Sequence, residues 1–270
     1  MRRHKAWGVL LLLIGAVPLA CAPKPILRTQ PPAPKAVVLA APSVSPTPAP
    51  APAEPPTMTK AQLLGFRDPP DMATDPESGK RAQAAVIAAY EKLRVKALEN
   101  GWHLILVSGY RSYWHQVRLW NERYHKVSPD DKMTTDQRVR AIMDYVDLPG
   151  LSRHHWGTEL DISEESLRGQ LLHRSPDLPQ RVKDFYAWMA DNAPLFGFCR
   201  TYKGTGGFIQ DEPWHWSYQP YSRVYTAQFE SIHDFRIIEQ KSVLGSDYVL
   251  KHFPEIYQGL ENSVDPACCR

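Results

Sequence analysis

The spacing of apolar residues between positions 78 and 218 predicts alternating helices and strands. Apolar residues recur at helical spacing over Ser78–Asn100, where Gly101 supplies a stop signal, and the apolar run His103–Val107 predicts a short strand. Helical spacing returns in three later segments: Tyr113–Lys126, Thr135–Val146 and Asp177–Asn192.

Two further segments, Phe196–Tyr202 and Gly207–Tyr218, predict strands joined through a glycine-containing turn. This order of elements predicts an α+β fold in which helices flank a small antiparallel sheet. Past Tyr218 the pattern weakens, and Thr226–Leu260 predicts two short helices. We therefore expect one domain over residues 58–225 and a C-terminal extension, residues 226–270, that packs on the domain or trails it.

The first 21 residues have the composition of an export signal. A cationic start precedes the apolar run Ala6–Leu19, which is short for a membrane-spanning helix. The Ala-Cys end at Cys21 is similar to a bacterial lipobox, so we expect lipidation there, with the protein exported to the periplasm or cell surface and anchored to a membrane. Ala20-Cys21-Ala22 also satisfies the small-x-small rule, so plain secretory cleavage is the alternative.

Residues 22–57 are rich in proline and alanine and contain no aromatic residue. Such a segment cannot bury a core, and it favours an extended polyproline II spacer. We expect a disordered linker that holds the following domain away from the membrane. A passive linker would have the same composition.

Charge and cysteine content narrow the functional class. A net charge of +3 with mixed signs, and no glycine loop of the phosphate-binding type, argue against nucleic-acid and nucleotide binding. The cysteines do not have zinc-finger spacing, and in an exported protein Cys199 can pair with either Cys268 or Cys269.

Two histidines and two carboxylates form the candidate chemical site. His154 precedes Asp161 by seven positions, and Glu212 precedes His215 by three. Catalytic zinc needs three protein ligands, a fourth position left open for water, and a base beside that water. The sequence therefore predicts one Zn²⁺ per chain with His154, Asp161 and His215 as ligands. Glu212 is the predicted base, and Glu159 is the alternative.

The local geometry around this site is also predicted. Gly157 interrupts the strand-like pattern between His154 and Asp161, and a bend there would bring both residues to one ion. The HExxH helix of common zinc peptidases is absent, so the scaffold must differ. Five other histidines are interpreted as surface or core residues: His103, His115, His125, His155 and His173.

Candidate substrate-binding residues surround the same motifs. Arg111 carries a planar fork of donors, which suits a developing oxyanion or a terminal carboxylate. A surface salt bridge is the alternative role for Arg111. Ser152 and Gln116 are weaker candidates for hydrogen bonds to the substrate. Trp214 is predicted to form the wall of the site, or part of the core.

Three motifs together resemble a known family. They are SxHxxGxxxD from Ser152, ExWH from Glu212 and SGYRSxxxQ from Ser108. This set, over roughly Ala82–Tyr218, is similar to the VanY-type zinc D-alanyl-D-alanine carboxypeptidases, which are grouped with lysostaphin-like peptidases and the hedgehog signalling domain.

The resemblance implies zinc bound by His154, Asp161 and His215, with Glu212 as catalytic base and Arg111 facing the substrate. It implies removal of the C-terminal D-alanine from peptidoglycan stem peptides. Two departures, Glu159 in place of a small residue and Ser217 in place of a frequent arginine, leave substrate preference open. The alternatives are a D,D-endopeptidase, an L,D-carboxypeptidase, or a wall-binding lipoprotein without activity, although an intact Glu212 argues against the last.

Overall fold

A four-stranded antiparallel sheet lies at the centre of the fold in the computed structural model, which describes residues 54–167, 178–204, 206–232 and 242–269. The strands are β1 (Met72–Thr74), β2 (Arg81–Gln83), β3 (Leu104–Ser108), β4 (Glu159–Glu164), β5 (Phe198–Arg200) and β6 (His215–Tyr218). The first two pair only with each other, and the larger sheet has the order β3-β4-β6-β5. The predicted α+β class with a small antiparallel sheet is confirmed.

Helices surround this sheet. They are α1 (Lys60–Leu63), α2 (Ala84–Glu99), α3 (Tyr113–Lys126), α4 (Thr135–Met143), α5 (Gln180–Asn192), α6 (Gln219–Glu230), α7 (Ser246–Lys251), α8 (Phe253–Ser263) and α9 (Pro266–Cys269). Local capping sets some of the boundaries. The Ser112 hydroxyl accepts a hydrogen bond from the His115 backbone N–H at 3.3 Å, which starts α3. Thr134 and Gln137 form a capping box that starts α4.

Helix prediction was most accurate where a cap and the apolar spacing agreed. Helix α3 has the predicted bounds, whereas α4 stops at Met143, three residues before the predicted end at Val146. The predicted start of the first long helix at Ser78 is wrong, because residues 81–83 pair with residues 72–74 as a hairpin before α2 begins. Helix α5 begins at Gln180 in the described part of the chain, and the predicted start at Asp177 lies outside it.

The predicted strand Gly207–Tyr218 is wrong over most of its length, because only its last four residues are extended in the sheet. The backbone N–H of Ile209 donates to the Ser263 hydroxyl at 3.0 Å instead, and that of Phe208 donates to the Gly259 carbonyl at 3.2 Å. Contacts with α8 therefore replace sheet pairing there. The predicted strand Phe196–Tyr202 is also shorter, since the preceding 3-10 turn ends at Gly197 with φ +85°.

The described C-terminal residues, 226–232 and 242–269, belong to the same compact unit as the sheet. Helix α6 continues without a break through residue 225. A disulfide joins Cys199 on β5 to Cys268 on α9, which selects one of the two predicted pairings. None of the helices in the described ranges is long and apolar enough to cross a membrane. The predicted signal segment, Cys21 and the linker up to residue 53 lie outside the described residues.

Candidate metal centre and cleft

The register of the central sheet places two of the predicted ligands side by side. Asp161 on β4 is the cross-strand partner of His215 on β6, and Ser108 on β3 lies on the other side of Asp161. A register shift between Leu106 and Ser108 interrupts the regular pairing of β3. Such an irregularity turns the chain out of the sheet, here into the segment that carries Arg111.

The third predicted ligand comes from a turn. His154 lies in a 3-10 turn, Arg153–Trp156, that ends at Gly157 with φ +66°, a left-handed conformation that favours glycine. The chain then enters β4, so the bend predicted at Gly157 is present and lets two residues seven positions apart meet. One possible ligand atom from each of His154, Asp161 and His215 lies within 4.8 Å of the others, and all three side chains are buried.

The hydrogen bonds of the two imidazoles define which nitrogens face the metal position. Nδ1 of His154 lies 2.8 Å from the Gly109 carbonyl and must donate to it, which leaves Nε2 as the unprotonated nitrogen. Nε2 of His215 lies 3.0 Å from Glu159 Oε2, which leaves Nδ1. These are the second-sphere contacts that metal-binding histidines make in proteins.

The carboxylate of Asp161 completes the donor set. Its Oδ2 accepts a hydrogen bond from Arg111 Nη2, whereas its Oδ1 is buried without a hydrogen-bond partner among the described residues. That Oδ1 lies 3.2 Å from His215 Nδ1. A buried carboxylate oxygen costs free energy unless something neutralises it, so two imidazole nitrogens and this oxygen fit a Zn²⁺ ion.

Together, burial and the surrounding charges shift the pKa values of the two histidines of the metal-free centre in opposite directions. Burial, followed by the positive charge of Arg111, lowers the pKa of His154. Burial acts the same way on His215, but the carboxylates of Asp161 and Glu159 outweigh it and raise the pKa of His215 to about 10. Burial opposes the charge of Asp161, yet His154 and Arg111 hold its pKa well below the usual range. His154 therefore presents a neutral ring, whereas His215 presents a charged one until a metal displaces its proton.

A cleft of about 330 Å³ opens beside the three ligands. Glu212 lines it, with Oε2 3.7 Å from His215 Nδ1, and so do Arg111 and Trp214. Residues of α3 and of the segment after α4 form the rim: Leu119, Glu122, Arg123, Lys126, Tyr145 and Val146. The predicted base and the predicted substrate arginine thus face the same space as the ligands.

Two of the predicted substrate contacts point elsewhere. Gln116 is fully buried, does not line the cleft, and donates from Nε2 to the Asp147 carbonyl at 2.8 Å. Ser152 is also buried away from the cleft, and its hydroxyl donates to Asp147 Oδ2 at 3.0 Å. Neither side chain lines the cleft, and a contact of either one with a substrate stays a prediction. The Gln116 amide nitrogen and the Ser152 hydroxyl instead bind the segment that carries Asp147.

The turn that carries Arg111 is held by main-chain contacts. Nδ1 of His155 donates to the Arg111 carbonyl at 2.7 Å, and Nε2 accepts from the Gly150 N–H at 3.0 Å. Burial lowers the pKa of His155 to about 4, so the ring stays neutral in this role. The backbone N–H of Arg111 donates to the His154 carbonyl at 3.1 Å. His155 is thus a structural residue, in agreement with its interpretation from the sequence.

The positions of three residues at the site were not predicted from the sequence: Asp147, Tyr202 and Glu159. Asp147 and Tyr202 both line the cleft, and the Tyr202 ring lies 4.7 Å from that of His215. Burial raises the pKa of the Asp147 carboxyl despite the nearby histidines. Glu159 lies behind His215 and is fully buried, so it is not positioned as a base facing the cleft. Asp147 precedes the Pro149-Gly150 pair by two positions, and this is the sequence feature from which its place near the site could have been inferred.

Sequence and structure comparisons show similar proteins. An uncharacterized protein of Haemophilus influenzae is 32% identical over 113 residues, which is 39% of this chain and 86% of the relative. The solved structure of VanYB in complex with D-alanine-D-alanine aligns with a TM-score of 0.47 and 21% identity, covering 62% of this chain and 91% of that one. The solved structure of the LdcB LD-carboxypeptidase aligns with a TM-score of 0.46 and 22% identity, covering 69% of this chain and 80% of that one.

A third solved structure is a mutant of the vancomycin-resistance D,D-pentapeptidase VanY from the VanB-type cassette, in complex with Zn(II). It aligns with a TM-score of 0.46 and 23% identity, covering 57% of this chain and 83% of that one. A profile of the VanY family, described as D-alanyl-D-alanine carboxypeptidase, matches residues 79–221, more than half of the chain. That range contains the three ligands, Glu212 and Arg111, and the chain belongs to the VanY family of D-alanyl-D-alanine carboxypeptidases.

Proposed function

We propose that this protein is a zinc-dependent D,D-carboxypeptidase that removes the C-terminal D-alanine from peptidoglycan stem peptides. The observation that carries the proposal is the convergence of His154, Asp161 and His215 beside a cleft that also contains Glu212 and Arg111. Membership of the VanY family supports the reaction class. Anchoring to a membrane through Cys21 is a separate part of the proposal, which rests on the sequence alone.

Zinc bound by the two imidazoles and the carboxylate would supply a Lewis acid and lower the pKa of water to about 7. Glu212, which lines the cleft near His215, would accept a proton from the attacking water and return it to the leaving amine. Asp161 cannot do this while its Oδ2 is held by Arg111 and its Oδ1 faces His215. Glu159 cannot do it from behind His215.

Arg111 supplies the positive charge of the cleft nearest to the ligands. Its Nε donates to the Ser108 hydroxyl at 2.8 Å and its Nη2 donates to Asp161, which fixes the plane of the guanidinium. A guanidinium has five N–H donors, so others remain for an anionic group in the cleft. A terminal carboxylate would form a charge-assisted hydrogen bond with it, which favours release of one C-terminal residue over cleavage of a cross-link.

The test is the cleavage of a synthetic pentapeptide stem that ends in D-alanyl-D-alanine, measured by mass spectrometry of the products. The acid should lose one D-alanine, whereas the same peptide with an amidated C-terminus should not be cut, because Arg111 loses its anionic partner. Equal cleavage of acid and amide, or cleavage of cross-linked dimers only, would favour the D,D-endopeptidase. Cleavage of a tetrapeptide stem alone would favour the L,D-carboxypeptidase.

A further inference from the structure

We propose that Glu159 is a positioning residue of the metal centre: it holds the His215 ring with Nδ1 turned toward the metal position, and it thereby sets the affinity for zinc. This inference rests on the metal centre of the proposed function. It does not depend on which peptide bond the protein cuts.

The contact between the two side chains carries the first step. Glu159 Oε2 lies 3.0 Å from His215 Nε2, and a carboxylate oxygen can only accept, so Nε2 carries a proton. Nδ1 is then the nitrogen available to a metal, and it lies 3.2 Å from Asp161 Oδ1. A carboxylate behind a ligating histidine fixes its ring and raises its basicity.

The surroundings of Glu159 exclude a direct role in the reaction. Its side chain is fully buried and does not line the cleft. Oε1 accepts from the Ser217 hydroxyl at 2.7 Å and from Arg153 Nε at 3.1 Å. Oε2 accepts from the Thr201 hydroxyl at 3.2 Å in addition to His215. With donors around both of its oxygens, the carboxylate can act on the metal centre only through His215.

Arg153 explains how a carboxylate can be buried at this position. It is itself buried, its guanidinium lies 4.4 Å from the centre of the Trp156 ring, and its Nη1 donates to Thr226 Oγ1 at 3.0 Å. A buried ion pair of this kind adds little net stability compared with apolar side chains of the same volume. A gain in stability is therefore a weak explanation for a buried Arg153–Glu159 ion pair at this position. The contact of Glu159 with His215 is a stronger explanation.

The primary experiment measures the zinc affinity of Glu159→Gln by competition with a chromophoric chelator. We expect the affinity to fall about 10- to 100-fold, the usual effect of losing a second-sphere partner. Ser217→Ala is the matched control, because it removes a donor to the same carboxylate but leaves the bond to His215. Its zinc affinity should stay close to that of the unmodified protein.

A second variant covers the case in which Glu159→Gln does not fold. Glu159→Leu combined with Arg153→Met removes both buried charges together, so neither is left unpaired. Its fold is checked by circular dichroism without metal, and its zinc affinity should also fall about 10- to 100-fold. Either folded variant binding zinc as tightly as the unmodified protein would overturn the proposal.

The unmodified protein provides a test that needs no variant. With zinc bound, long-range ¹H–¹⁵N correlations of the His215 ring should show the proton on Nε2, and a proton on Nδ1 would overturn the proposal. These readouts are separate from peptide cleavage. A protein whose zinc affinity depends on Glu159 but that cuts no stem peptide would contradict the proposed function and leave this inference standing.

Discussion

The two histidines of the metal centre reach it from different kinds of structure. His215 lies on β6 directly opposite Asp161, and its second nitrogen contacts a side-chain carboxylate, that of Glu159. His154 lies in a 3-10 turn, and its second nitrogen contacts a main-chain carbonyl, that of Gly109. The strand side of the centre is thus set by sheet register and side-chain chemistry, whereas the turn side is set by backbone geometry. Different substitutions should disturb each side.

The largest effect is expected on the strand side, from His215→Ala. Removing one of three protein ligands should abolish stoichiometric zinc binding, whereas metal analysis of the unmodified protein should find about one zinc per chain. His125→Ala is a suitable control, because His125 is exposed on α3. Full zinc occupancy in His215→Ala would contradict the assignment of His215 as a ligand. It would also contradict the comparison between the strand side and the turn side of the centre.

Glu212→Gln should separate chemistry from metal binding. Glu212 lines the cleft but is not one of the three ligands, so the zinc content should be unchanged. Loss of the base should lower kcat by on the order of 10²–10⁴-fold. Steady-state cleavage of a pentapeptide stem measures this effect, and a variant as active as the unmodified protein would mean that another group moves the proton.

Gly109→Ala tests the turn side without changing a ligand. A Cβ at Gly109 would lie 2.4 Å from the Arg81 carbonyl oxygen, so the main chain that holds His154 would have to move. A misplacement of about 1 Å at a site of this kind can lower the rate roughly 10²-fold. We expect kcat/KM to fall by about that factor while circular dichroism still shows a folded protein. Unchanged kinetics would show that backbone position on the turn side is not critical.

The last prediction, about tenfold per pH unit, concerns the zinc affinity, and it distinguishes the two histidines. In the metal-free protein the pKa of His215 is about 10, whereas that of His154 is lowered, so below pH 10 mainly His215 holds a proton that zinc must displace. The apparent zinc affinity should therefore rise with pH, by about tenfold per unit while one proton is released, and level off as the pH approaches that pKa. Chelator competition between about pH 6 and about pH 8 measures the slope. A flat profile would contradict the charged state of His215.

Local signals in the sequence accounted for several elements and for the residue types of the metal centre. The boundaries of α3 follow from the Ser112 cap and the apolar spacing, both of which are local properties. Gly157 predicted a bend because few other residues adopt its left-handed conformation. Imidazole and carboxylate groups in family motifs predicted the zinc ligands, since ligand chemistry is a property of residue type.

The contacts between distant segments were decided by the tertiary structure. Pairing of β4 with β6 joins Asp161 to His215, and the contact of Glu159 with His215 spans 56 positions, which no local pattern reports. Ser152 belongs to the motif of His154 and Asp161, yet its buried hydroxyl donates to Asp147, because a buried polar group needs a hydrogen-bond partner. Gln116 belongs to the motif of Arg111, and its amide nitrogen donates to the same residue. Residue types and spacing thus determined which chemistry this protein can perform. Strand register and the satisfaction of buried polar groups determined which side chains face the cleft and which only support it.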